Sequence, residues 1–102
     1  MDRGLLLIGM AKKAGLLAVG ADDTNAAARA GKVSLVVSAG DASEGALRRA
    51  RHSAEVARAP HVVVSYTSFE LGGVSGRGSP GTVAILDSGL ADSFMKKRRT
   101  VQ

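Results

Sequence analysis

The chain has 102 residues, 45% of them hydrophobic, with two Phe, one Tyr, no Trp and no Cys, and a formal net charge of +5. That is the size of one domain with one core built from small aliphatic side chains, and the missing cysteines exclude disulfides, thiolate metal sites and a thiol nucleophile. Without such staples a cytoplasmic location is expected, no apolar stretch reaches the roughly twenty residues of a membrane span, and the positive balance favours polyanionic partners.

Asp2 is a plausible N-cap for a first helix running to about Ala14, with Gly15 ending it. The apolar run Leu5 to Met10 is too short for a signal peptide and is closed by Lys12 and Lys13. Leu16, Leu17 and Val19 form a short strand that stops at Gly20. Asp22 and Asp23 then open a second helix, where the dipole favours acids, and Gly31 closes it. Val33 to Ala39 is a β-branched strand bounded by glycines.

Asp41 stands three before Glu44, a capping-box spacing with Asp as the cap. The helix it would start has Ala46, Leu47, Ala50, Ala54 and Ala57 at the spacing of a buried face, and Pro60 stops it. His61 to Ser65 is another strand. Thr67 or Ser68 caps a short helix that ends at Gly72 and Gly73, and residues 72–81 form a flexible loop by composition. Thr82 to Leu86 is the last strand. Asp87 or Ser88 caps a final helix with Leu90, Ala91, Phe94 and Met95 facing inward, followed by a basic exit.

Helices alternating with strands predict an α/β protein, a three-layer α/β/α sandwich around a four-stranded mixed sheet. No domain boundary is visible, so a single domain over residues 1–95 and a basic tail over 96–102 are expected.

No catalytic constellation passes its spacing test. His52 lies among arginines and His61 begins a strand, neither with a metal ligand at the usual spacing. Ser79 needs a glycine at position 77 to sit in a nucleophile elbow, and that residue is Arg77. The glycine-rich loop leads into a strand and carries no Lys-Ser or Lys-Thr, so it is not a P-loop. No catalytic residue, metal or cofactor is expected.

Three features suit binding. The strand-to-helix turn at Gly20 to Asp23 combines a permissive backbone, helix N-terminal amides suited to phosphate and carboxylates suited to base-edge donors. A plain turn with dipole-compensating acids is an equal reading of the same residues. The loop carrying Arg77 can embrace a ligand or simply connect. Basic residues recur at Lys12 and Lys13, Arg29 and Lys32, and Arg48 to Arg51. With so few aromatic residues to stack single-stranded bases, folded RNA fits better than single strands.

The order of several short pieces resembles the L-seven-Ae ribosomal protein family and its small bacterial YlxQ-like branch. These are Ile8-Gly9-Met10-Ala11-Lys12-Lys13-Ala14-Gly15 with the strand ending at Gly20, then Asp41-Ala42-Ser43, Ala59-Pro60, Glu70-Leu71-Gly72 and Asp87-Ser88-Gly89-Leu90-Ala91. The match covers about Leu5 to Lys97. The resemblance implies an α/β/α sandwich that binds kink-turn or related RNA, often beside ribosomal components, without a cofactor; a monomer is the default expectation. It implies RNA contacts at Gly20, Ala21, Asp22 and Asp23 and at the loop residues Arg77, Gly78 and Ser79, with Arg29 and Lys32 as basic neighbours. Kink-turn binders carry Asn-Glu after Gly-x and a Lys three positions on; here those positions are Asp22, Asp23 and Ala26. Two adjacent carboxylates are expected to repel a phosphate backbone.

Overall fold

The computed structural model describes residues 2–98 as α1 (Arg3–Lys13), β1 (Leu17–Val19), α2 (Ala21–Arg29), β2 (Leu35–Ser38), α3 (Glu44–Ala57), β3 (His61–Val63), α4 (Ser68–Ser75), β4 (Thr82–Ile85) and α5 (Ser88–Lys97). The end of the basic tail, from Arg99 onward, lies outside the described residues. The sheet has the order β1-β4-β2-β3. Strand β4 runs antiparallel to both neighbours, and β2 and β3 are parallel, so the sheet is mixed as expected.

Register assigns each row of side chains to a face. Ala18, Ala84 and Val36 lie side by side and pack under Ala28 of α2 and Ala50 and Ala54 of α3. Small residues on both sides of this contact let the two helices sit close to the sheet. The alternate rows, Val19-Val83-Val37 and Ile85-Leu35, face the opposite way. They meet Leu5 and Ile8 of α1, Leu71 of α4 and Phe94 of α5. Strands β2 and β4 are therefore buried on both faces, which gives the three-layer sandwich.

Asp2 caps α1 as expected, accepting from the backbone N–H of Gly4 at 2.8 Å and of Leu5 at 3.3 Å. The same carboxylate oxygen accepts from the Tyr66 hydroxyl. Tyr66 is fully buried and its ring lies 6.4 Å from that of Phe94. Gly4 is needed at this crossing, because a Cβ there would stand 2.1 Å from the Tyr66 hydroxyl oxygen.

Two local expectations are corrected. Asp41 does not cap α3. Ser43 does, accepting from the Ala46 N–H at 3.1 Å. Asp41 instead accepts from the Ser68 backbone N–H at 2.8 Å and its hydroxyl at 3.2 Å, tying the entry to α3 to the start of α4. The second concerns α4. Its start is a capping box between Thr67 and Glu70, but the helix runs through Gly72 and Gly73 to Ser75 and ends on Gly76 at φ 75°. Gly72 is not a breaker. It is a contact point, since a Cβ at this position would lie 1.7 Å from the carbonyl oxygen of Gly78. The loop is thus residues 76–81 and rests directly on the α4 backbone.

Candidate nucleic-acid interface

Gly20 joins β1 to α2 at φ 93°, ψ 163°, backbone that disfavours any residue with a Cβ. Its N–H donates to the Thr82 carbonyl at 2.8 Å, which fixes the turn to the first residue of β4. No side chain caps α2. The first-turn amides of Ala21, Asp22 and Asp23 are the ones a helix leaves without an internal partner, and they present partial positive charge at this end.

The loop before β4 reaches the same place. Arg77 donates to the Asp23 carboxylate at 2.9 Å, so the loop is fastened to the first turn of α2. Gly78, at φ 49°, and Ser79 are exposed on that loop. The turn and the loop come from residues more than fifty positions apart, and the sheet pairing of β1 with β4 brings them together.

Asp22 is paired as well. The Arg49 guanidinium of α3 donates to its carboxylate at 2.6 Å. Each acid of the turn is therefore matched by an arginine from a different element. These pairs are solvent-exposed and add little to stability. Their effect is on the local field: the turn does not present two uncompensated negative charges, as the adjacent aspartates suggested.

Arg29 and Lys32 lie elsewhere. Arg29 closes α2 at its C-terminal end, about 12 Å along the helix from Ala21. Lys32 lines a cleft with Gly15, Ser34 and Asp87, beside the start of β2 and the end of β4. The structure thus brings Gly20, Ala21, Asp22, Asp23 and Arg77 together, with Gly78 and Ser79 alongside, but not Arg29 or Lys32.

Arg49 is the residue that sequence reasoning left undistinguished within the basic run of α3. Its neighbours Arg48 and His52 line a cleft between α2 and α3 with Asn25 and Ser53, whose hydroxyl donates to the Asn25 side chain at 3.3 Å. The cationic surface therefore continues from the turn onto α3. A signal for it in the sequence is the alanine content of α2 and α3, whose Ala28, Ala50 and Ala54 pack on the same face of the sheet.

The other histidine serves the sheet. His61 Nε2 lies 2.7 Å from the Ser38 hydroxyl across the β2–β3 pair. Burial, with Arg51 as a lesser contributor, pushes its pKa below the ordinary value. Among the described residues no group of three or more His, Asp or Glu could hold a metal ion, and no helix is long and apolar enough to cross a membrane.

No family model and no curated protein matches this chain. Solved structures do. A protein of unknown function from Bacillus halodurans superposes with a TM-score of 0.82 at 23% identity, over 94% of this chain and 96% of the other. A 15.5 kD RNA binding protein from Giardia lamblia superposes with a TM-score of 0.70 at 20% identity, over 91% of this chain and 82% of the other. The chain shares the fold of both.

Proposed function

We propose that this protein is a non-enzymatic binder of folded, kink-turn-like RNA, ribosomal or ribosome-associated, working in the cytoplasm as a monomer. The observation that carries the reading is the Arg77–Asp23 pair, which seats a glycine-rich loop against an uncapped helix N-terminus. A phosphate at that junction meets backbone amides from one side and a guanidinium from the other. Gly20 and Gly78 let nucleic-acid backbone approach, and the Asp22 or Asp23 carboxylate accepts from a guanine edge. The named RNA binding protein of the same fold supports the reading, as does the net charge of +5.

Arg29 at the end of α2 and Lys32 beyond it fit this scheme as distal phosphate contacts, engaged by a duplex arm rather than at the turn. Arg49 and Arg48 extend the positive surface in another direction. Ala26, exposed one turn into α2, offers no charged contact, so the RNA differs in detail from one read by a lysine there.

Titration by gel shift against a standard kink-turn and against total ribosomal RNA, over a range of salt, tests the proposal. Salt-sensitive binding to either supports it. Absence of binding to both favours a protein-interaction module on the same fold.

A further inference from the structure

The outer side of α1 carries an apolar stripe left uncovered among the described residues. Leu6 and Met10, one turn apart, are 49% and 48% exposed. They line a groove of about 450 Å³ between α1 and α4, floored by Gly9, Gly73 and Val74. The glycines keep it open: a Cβ on Gly73 would meet nothing within 4 Å. Lys12 and Lys13 border the groove, no acid lines it, and neither lysine forms an ion pair among the described residues. Arg3, Leu6, Met10 and Lys13 follow one another at helical spacing, so a cation stands at each end of the stripe.

We propose that this groove docks an amphipathic helix of a partner protein, one that carries acidic residues beside its apolar anchors. Its walls are two helices, so a third helix can pack its ridges between them. An extended peptide finds no free strand edge here to pair its backbone with. From Leu6 to Met10 the apolar stripe is about 6 Å long, enough for two anchors one turn apart. The cations select the acids. A second copy of this chain is the wrong occupant: α1 laid on α1 in either direction sets Lys12 and Lys13 against their own counterparts or against Arg3. The outer side of α3 is no better, since its exposed Arg48, Arg49 and Arg51 outnumber Glu44 and Glu55. The proposal does not rest on RNA binding. Gly76, which ends α4, lines the groove and precedes Arg77, so a docked helix would adjoin the loop without covering it.

The test is an NMR titration of the whole protein with a synthetic helical peptide of about 14 residues, leucines at i and i+4 and glutamates on the flanks. The expected result is saturable shifts at Leu6, Gly9, Met10 and Gly73 to Gly76. Leu6→Glu, and separately Gly73→Leu, should weaken binding about tenfold or more. Gly73→Leu fills open space and leaves the fold intact by circular dichroism. The double variant Lys12→Glu, Lys13→Glu should reverse the preference, binding a lysine-for-glutamate peptide better than the original. No shifts in the groove, shifts confined to the α2–loop surface, or equal affinity for a peptide with its leucines scrambled around the helix would each overturn the proposal. So would concentration-dependent shifts at the groove without peptide, the signature of self-association.

Discussion

Asp22 and Arg49 face each other across the α2–α3 contact at 2.6 Å, in a pair with Asp22 almost fully exposed. Arg49 is thereby divided between a carboxylate and any phosphate that approaches. Replacing Asp22 with Asn frees the guanidinium and removes a negative charge, and it should tighten RNA binding while steepening its salt dependence. Arg49→Ala should do the reverse. Both should alter folding stability by less than about 1 kcal/mol, because the pair is exposed. Salt-dependent binding isotherms together with urea melts check both; a loss of binding in Asp22→Asn would assign the carboxylate a direct contact with a base.

Arg77 is shared in the same way with Asp23. Arg77→Ala should weaken RNA binding and lower the slope of log affinity against log salt by about one unit, the loss of one phosphate contact. An unchanged slope would take the loop out of the interface.

Two neighbouring glycines of α4 should respond in opposite directions. Gly72→Ala drives a methyl group into the Gly78 carbonyl, and displacing that backbone should cost about 1–3 kcal/mol. It should also loosen the Arg77–Asp23 pair and weaken RNA binding. Gly73→Ala enters open space within a helix and should stabilise by about 0.5–1 kcal/mol. Thermal melts of the two variants, run side by side, decide the matter.

His61 should make the fold sensitive to mild acid. Its folded pKa is pushed below the ordinary 6.5, chiefly by burial and then by Arg51. The unfolded chain therefore takes up the proton first. The stability associated with neutral His61 is complete above that ordinary value and is lost as pH falls below it toward the folded pKa. His61→Gln should flatten this part of the profile. Denaturant melts between neutral and acidic pH report it, and a wild-type curve as flat as that of the variant would dismiss His61 as the source.

The elements were legible because their signals are local. The β-branched run Val33 to Ala39, the alanine face of α3 and the caps at Asp2, Thr67 and Asp87 depend on neighbours a few positions away. What was not legible depends on distant partners. Gly72 looks like a helix stop until Gly78 folds back onto it. Asp41 has capping-box spacing, yet Ser68, 27 positions along, takes its carboxylate while Ser43 caps the helix. The glycine turn and the Arg77 loop were marked as candidates by residue type and by resemblance, but their junction exists only through the β1–β4 pairing. Arg49 could not be separated from Arg48 and Arg51 by spacing, because Asp22 selects it from a different helix. Arg29 and Lys32 were joined to the turn by the resemblance, and the structure sets Arg29 at the far end of α2 and Lys32 beyond it.

Strand β4 is the last strand among the described residues and an interior one in the sheet. During synthesis β1 therefore has no strand to pair with until residues 82–85 have left the exit tunnel, and β2 has only β3. A chain ending before Thr82 would lack the strand that pairs with both β1 and β2, together with Val83, Ile85 and Phe94 of the core, leaving strand edges without a partner. The same late strand anchors the Gly20 turn through Thr82. Completion of the sheet and placement of the Gly20 turn are thus one event, and a truncated chain should be without both.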